Sequence, residues 1–513
     1  MSRIILASLS AAGLLAAPFL LPELFPLAWV AFIPFFWAVR RAETLWQAAI
    51  IGWLTGFLTH LFGFHWLVYT ISVFGGFPYP VSALIFLIYC GLQGIQMTLF
   101  ALLVRGLGLG PLSIYPALFW VTLEFWFPLL FPWYLANSQS SFTGFIQSAD
   151  LVGPFGASLI IMWANTVIYQ FVTSGPQNRK IHWLPAVLIA LLFLASVGYG
   201  LVRLRAVTKL ITTARKLTVA AVQGNIEVGM KWNPLQAKAN LETQVELTKH
   251  INGAQVVLWP ESALEEWLPD NLPSLPAPFV ESLELKGAHF IFGARSFRGN
   301  PGTSDFKAFN TAFLTNADGR VLNRYHKQVL LAFGEYLPFS RILSKIPAMP
   351  FSEGFTPGVG PRTLDLPGGV RIAPLICYED LMPQLSRQFV KETKANLLVN
   401  LTNDAWYGRS VAPWQHARLA QWRAVETRRS LLRVTNTGVT ALINAKGEFQ
   451  KTLPVFSAAV LQTKVEILDG ETFYARYGDW FAWSVTVVCL AIIAFGWKQY
   501  CSLCGKRGLT RFV

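Results

Sequence analysis

The chain is 513 residues long, more than one ordinary domain holds, and 53% of it is hydrophobic with a mean hydropathy of +0.43, which argues against a purely water-soluble protein. Its net charge of +14 does not mark a nucleic-acid binder, because the basic residues form no stripe interleaved with stacking aromatics and several stand at the ends of apolar runs. Apolar residues crowd roughly the first 200 positions, whereas about 217–467 mixes polar and apolar residues as a water-facing domain does, so two solvents are implied.

About 18 apolar residues suffice to cross a hydrocarbon core of roughly 30 Å. Such runs predict about eight spans, at 4–21, 24–39, 45–72, 80–104, 112–135, 155–173, 182–202 and 480–497. The second is short and broken at Pro34, so the first two also read as a tight hairpin that only partly crosses. A cleaved signal peptide is the alternative for the first run, with Arg3 as its basic start and small residues at Ala11 and Ala12. It lacks a polar cleavage region and runs almost directly into the next apolar stretch, so we read it as a span.

Loops on one side hold Arg3, Arg40, Arg41, Arg105, Arg179 and Lys180, and the tail holds Lys498, Lys506, Arg507 and Arg511, while the loops near 73–79 and 136–154 hold no Lys or Arg. The positive-inside rule then puts both termini in the cytoplasm and the large domain outside. Arg203, Arg205, Lys209, Arg215 and Lys216 open that domain on the nominally wrong side, which long domains tolerate; they read as a solvated face or as headgroup contacts. Within the spans, Glu124 reads either as a functional group or as an interhelical hydrogen bond, and His60 and His65 as polar contacts between helices. Cys90 and Cys489 lie in spans and Cys501 and Cys504 in the tail, so the external domain, with Cys377 alone, forms no internal disulfide. The Cys501-x-x-Cys504 pair is half a zinc site without a second half, a chance spacing or a palmitoylation site.

From Leu217 to Ile467 short β-branched runs alternate with helical stretches. Strands are predicted at 217–223, 254–259, 289–294, 308–315, 370–377, 396–402 and 431–443, and helices at 234–251, through Leu241, Val245 and Leu247, and at 414–429. This pattern implies helices layered on sheet faces, where functional groups gather at strand ends. Glu261 follows the run ending at Trp259-Pro260, Lys327 closes Val321 to His326, and Cys377 ends Ile372 to Ile376. Singly these are an inert core thiol, a helix cap and a turn lysine. Jointly they are a nucleophile, the base that takes its proton, and a cation for thiolate and oxyanion.

Trp259-Pro260-Glu261-Ser262, Tyr325-His326-Lys327, Phe333-Gly334-Glu335-Tyr336-Leu337-Pro338 and Ile376-Cys377-Tyr378-Glu379 stand in the order of the Glu-Lys-Cys triad that the nitrilase superfamily carries. The stretch Asn400 to Gly408, Pro413 to His416 and Thr435 to Gly438 is similar to the apolipoprotein N-acyltransferase family within it, as is the frame of seven spans before the domain and one after. The resemblance implies an extracytoplasmic αββα sandwich at 206–475, between transmembrane segments at 1–205 and a last span and tail at 476–513. It implies Glu261 as general base, Lys327 as oxyanion and thiolate stabiliser, Cys377 as nucleophile, and Glu335, Tyr378, Glu379 and Trp232 in support; Trp232 reads equally as a structural anchor. Glu379 and Asp380 must face away from the thiol or be offset by Lys327, and Glu379 is expected to hold a loop in place. The implied reaction moves an acyl chain from the sn-1 position of a phospholipid, such as phosphatidylethanolamine, through a Cys377 thioester. The acceptor is the α-amine of a diacylglyceryl-cysteine apolipoprotein.

A bacterial inner-membrane monomer without cofactor or metal is implied. The apolar stretch 330–355, with Leu330, Leu331, Phe333, Phe339, Met349 and Phe351, reads as an acyl-binding arm or as packed core. An amide hydrolase with the same triad, or a non-catalytic lipid or lipoprotein scaffold, are the rival readings.

Overall fold

The computed structural model describes residues 2–174, 183–231, 233–336 and 354–506, with side chains as far as Gly496. It divides into two units, one made of Met1–His65, Phe86–Val202 and Tyr477–Val513, the other of Trp66–Ile85 and Arg203–Arg476.

The first unit is apolar on its surface as well as in its interior. Leu6, Ile88, Leu92, Leu191 and Leu194 are exposed, while Ser8, Thr55, Thr59, His60, Glu124, Asn165 and Thr166 are buried. Lipid is the solvent that such a surface fits, and buried polar groups must then find partners inside. Asn165 does so completely: its Oδ1 accepts from the Phe32 amide at 2.9 Å, and its Nδ2 donates to Ala28 O at 2.8 Å and Ile161 O at 2.9 Å. Glu124 accepts from the Trp120 indole, one turn earlier in its own helix, at 2.8 Å and from the Leu135 amide. Small residues set helix spacing. A Cβ on Gly52 would stand 2.4 Å from Met97 O, and one on Gly56 2.8 Å from Gly94 Cα, so this Gly-x-x-x-Gly face lets two backbones touch.

Among the described residues six helices are long and apolar enough to cross a membrane: Ser2–Leu20, Pro22–Arg41, Leu45–Gly63, Tyr79–Leu107, Pro154–Thr173 and Trp183–Thr213; Trp480–Gly496 is a shorter apolar helix. Two predicted spans differ. The run at 112–135 is continuous helix only over Tyr115–Trp126, about 18 Å at 1.5 Å per residue, because Phe127 turns extended ahead of Pro128. The run at 45–72 stops at Gly63, and a separate helix, Leu67–Gly75, belongs with the second unit. There the Trp66 indole donates to Gln415 Oε1 at 2.8 Å, and Phe74 meets Trp406 edge-on at 4.5 Å.

Among the described residues the second unit has thirteen strands, β1 (Arg215–Gln223), β2 (Val256–Leu258), β3 (Leu264–Pro269), β4 (His289–Arg298), β5 (Lys307–Thr315), β6 (Val321–His326), β7 (Leu364–Leu366), β8 (Val370–Ile376), β9 (Leu397–Thr402), β10 (Leu431–Thr435), β11 (Ala441–Ile443), β12 (Phe449–Thr452) and β13 (Ala459–Ile467). One sheet runs β13-β1-β2-β4-β5-β6 with β3 beside β4, the other β12-β11-β10-β9-β8-β7. Each has a parallel centre, β1-β2-β4 or β10-β9-β8, with antiparallel strands toward its edges.

The alternation of side chains explains the layering. Leu217, Val219, Ala221, Val256, Leu258, Ile291, Ala312 and Leu314 point into a core shared with β8, β9 and β10. Their neighbours Ala220, Val222, Val257, Phe290, Phe292 and Phe313 point the other way, under helices Ala237–Lys249 and Ala277–Leu283. Helices Pro383–Thr393 and Ala412–Thr427 contact β8 and β10 of the second sheet, which completes the expected αββα sandwich. The predicted single strand at 431–443 is two, β10 and β11, paired antiparallel with Arg433 opposite Ala441, because the chain reverses between Thr435 and Ala441. Strands β3, β7, β12 and β13 are not among those predicted.

Candidate active site

Glu261, Lys327 and Cys377 all lie just past the carboxyl ends of strands, where parallel sheets leave room for chemistry. Glu261 leaves β2 in a turn pressed onto β4: a Cβ on Gly293 would stand 2.7 Å from Glu261 Cα, so only glycine lets β4 pass. Lys327 follows β6, its amide donating to Asn310 O at 2.8 Å. Cys377 opens a 3-10 turn, Cys377–Leu381, with φ of +51°, a left-handed conformation that a side chain adopts only at a cost of about 1–3 kcal/mol.

Here the side chains converge. Lys327 Nζ lies 2.7 Å from Glu335 Oε2 and 3.7 Å from Glu261 Oε1. Asn310 Nδ2 bridges the two carboxylates, donating to Glu261 Oε1 at 2.8 Å and Glu335 Oε1 at 3.0 Å. The Asn403 amide donates to Glu261 Oε2 at 3.0 Å and the Leu331 amide to Glu335 Oε2 at 2.9 Å. Glu261, Lys327 and Glu335 are buried and Cys377 is half-buried, the most exposed residue of the group.

Burial raises the Glu261 pKa, with Lys327 opposing and Glu335 adding to the rise. Burial would lower the Lys327 ammonium, but Glu335, Glu261 and Cys377 outweigh it and hold its pKa above the ordinary lysine value. The Cys377 thiol is pushed well up by burial and then by Glu261, against Lys327 and a hydrogen bond with the Thr402 side chain. Cys377 therefore rests as a thiol beside an ammonium held by two carboxyl groups, and needs a base to take its proton as it attacks.

Tyr378 is buried beside Tyr336 and Lys327. Both oxygens of Glu379 are taken up by donors: its Oε1 accepts from Tyr325 Oη at 2.9 Å, the Gln328 amide at 2.6 Å and the Val329 amide at 3.0 Å, its Oε2 from the Ile376 amide at 2.8 Å. Asp380 pairs with Arg433 and His416. Trp232 and positions 337–353 of the apolar arm lie outside the described residues. Of the arm, Phe333 is exposed with φ of +65°, and the Phe355 amide donates to Glu335 O at 2.9 Å.

Sequence reasoning missed Asn310, Asn403 and Lys231. Lys231 is buried, and its pKa falls to about 8 through burial, with Glu265 and Glu261 pulling the other way. Asn310 carried a local signal, a polar residue inside the apolar run Ala308 to Leu314; Asn403 and Lys231 carried none outside the motifs. Among the described residues no group of three or more His, Cys, Asp and Glu is arranged to hold a metal ion.

A sandwich with this constellation at its strand ends has the features of a carbon-nitrogen hydrolase domain, and the carbon-nitrogen hydrolase family model matches residues 218–471. Residues 11–167, in the membrane-type unit, match a second model, the apolipoprotein N-acyltransferase N-terminal domain. The apolipoprotein N-acyltransferase of Geobacter metallireducens is 32% identical over 499 residues, covering 95% of this chain and 94% of its own. That of Bdellovibrio bacteriovorus is 31% identical over 467 residues, covering 86% and 84%. The chain belongs to the apolipoprotein N-acyltransferase family.

Proposed function

We propose that this enzyme moves an acyl chain from the sn-1 position of a phospholipid to the α-amine of an N-terminal diacylglyceryl-cysteine, in two steps through Cys377. As Sγ attacks the ester carbonyl, Glu261 takes the thiol proton and Lys327 offsets the charge that gathers on the oxygen. The C–O bond breaks, Glu261 returns the proton to the departing lysophospholipid, and a thioester remains. The amine then attacks this thioester, Glu261 receives its proton, the amide forms and the thiol is restored. Glu335 supports the reading by holding Lys327 at 2.7 Å, which leaves Glu261, at 3.7 Å, less neutralised and more basic.

The observation that carries the proposal is the half-buried Cys377 within reach of the charges of Glu261 and Lys327, in a chain whose two parts match the two domains of one family. A membrane frame suits the substrates, because moving an acyl chain into water costs about 0.8 kcal/mol per CH₂. We further propose a monomer in the inner membrane, with 206–475 extracytoplasmic between 1–205 and 476–513, both termini cytoplasmic, and phosphatidylethanolamine as the favoured donor.

The experiment is mass spectrometry of the whole protein after incubation with phosphatidylethanolamine. An acyl adduct on the Cys377 peptide, removed by hydroxylamine and transferred to a diacylated lipopeptide, is expected. Amide formation by Cys377→Ser at the native rate overturns the mechanism, and free fatty acid in place of amide makes the enzyme a hydrolase.

A further inference from the structure

Behind Cys377 lies a buried cluster of four charged groups with no part in the steps above. Asp380 comes from the turn that Cys377 opens, Asp404 from the 3-10 turn Asp404–Tyr407 after β9, Arg433 from β10 and His416 from helix Ala412–Thr427. Asp380, Asp404 and Arg433 are fully buried and His416 is 4% exposed. Arg433 pairs with Asp380 and lies 3.6 Å from Asp404 Oδ2. His416 uses both ring nitrogens, Nε2 at 2.8 Å from Asp380 Oδ1 and Nδ1 at 2.9 Å from Asp404 Oδ1.

Ionised carboxylates only accept hydrogen bonds, so a ring with a carboxylate at each nitrogen is satisfied as the doubly protonated imidazolium. Two carboxylates, one guanidinium and one imidazolium then sum to zero. Removing the imidazolium charge would leave one uncompensated negative charge in a dry interior, where such a charge is costly and far-reaching. Space is as constrained as charge, since a Cβ on Gly438 would lie 2.1 Å from Asp404 Oδ2.

The cluster also bridges the two halves of the reaction. Asp380 is three residues from Cys377. Asp404 adjoins Asn403, whose amide holds Glu261 Oε2 at 3.0 Å, and accepts from Thr402, whose side chain hydrogen-bonds the Cys377 thiol.

We propose that His416 is a positioning residue for acyl transfer: its positive charge keeps the Asp380–Arg433–Asp404 cluster neutral and ties the turn carrying Cys377 to the turn that holds Glu261. This rests on the reading of Cys377 as nucleophile and Glu261 as base. The groups facing His416 are Asp380, Asp404, Arg433 and the Tyr407 ring, 6.1 Å away and edge-on. Burial, and after Asp380 also Arg433, work against the proton, yet the two carboxylates hold His416 up at about 9, so it is charged at neutral pH.

The test uses the full-length protein in nanodiscs containing phosphatidylethanolamine. It reads thioester formation on the Cys377 peptide and the pH dependence of that thiol's alkylation by iodoacetamide. His416→Gln is expected to slow thioester formation between about ten- and a hundredfold with little change in phospholipid KM, as misplacement of reacting groups does. It should also shift the alkylation profile to higher pH, because the uncompensated carboxylate opposes the thiolate. Adding Asp404→Asn to that variant restores neutrality and is expected to recover about tenfold or more of the loss. A His416→Gln protein that acylates at the native rate, or a double variant no faster than the single one, overturns the proposal. Should His416→Gln fail to fold, the double variant must fold and acylate faster than one-hundredth of the native rate; failure there overturns it as well. Cys377→Ser, run in parallel, separates the two ideas: if it forms no adduct, the nucleophile stands whatever the His416 variants do.

Discussion

At the scale of single residues, the site is governed by how many cations share how few carboxylates. Lys327 is committed to Glu335 at 2.7 Å, so the charge that most directly remains for Glu261 comes from Lys327 at longer range and from Lys231. Lys231 lies in the loop ahead of helix Ala237–Lys249, buried, with Glu261 and Glu265 as the carboxylates that act on it. Burial brings its pKa down to about 8, and its ammonium opposes the rise that burial gives the Glu261 carboxyl. Removing that ammonium makes the carboxylate harder to form, so the Glu261 pKa rises further and the base is charged only at higher pH. Lys231→Met is therefore expected to move the acid limb of thioester formation toward higher pH while leaving the rate on the plateau within about threefold of native, since a uniform shift of one pKa alters only the fraction of active form. A pH–rate profile checks this; an acid limb that stays put, or moves to lower pH, would remove Lys231 from the electrostatics of the site.

At the scale of elements, Glu379 does for the loops what Lys327 does for the charges. One carboxylate gathers the Tyr325 hydroxyl from β6, two amides of the loop after Lys327 and the Ile376 amide at the end of β8, so the strands bearing lysine and cysteine are fastened to each other. In Glu379→Gln one oxygen becomes an NH₂ facing a donor, and at least one buried N–H loses its acceptor. That is expected to cost about 1–3 kcal/mol, seen as a lower Tm or denaturant midpoint, together with slower thioester formation; a variant as stable and as fast as native would contradict the fastening role. The three strand ends were legible in the sequence, because an apolar run followed by one polar residue is a local pattern. What escaped was pairing at long range. His416 reaches Asp380 across 36 positions and Arg433 reaches it across 53, and no spacing rule foretells either. The same is true of the 431–443 run, where composition showed strand throughout and the reversal at Asn436-Thr437-Gly438 was read only as a family signature. In the membrane-type unit, hydropathy counted 112–135 as one span because it weighs composition and overlooks the break at Pro128.

At the scale of the molecule, one chain serves two solvents, and helix Trp183–Thr213 passes from one regime to the other without interruption. Its 31 residues extend about 46 Å, more than a hydrocarbon core of roughly 30 Å requires. Leu184, Val187, Leu191, Leu194 and Leu201 are exposed along its first part, and Arg205 and Lys209 along its last. Charged residues on that last part suit a solvated face or the headgroup region, and the proposed topology would put the sandwich that begins with β1 on the extracytoplasmic side. The turn between β5 and β6 tests which side that is, because Asp318 is exposed there and its carboxylate accepts from Asn316, two residues back in the same turn, at 3.1 Å. A Cys introduced as Asp318→Cys is expected to react with a membrane-impermeant maleimide in intact spheroplasts, whereas Cys501 and Cys504 should react only after permeabilisation. The reverse pattern would place the sandwich in the cytoplasm, where an extracytoplasmic lipoprotein amine could not reach Cys377, and the proposed acceptor would have to be given up even if the thioester formed.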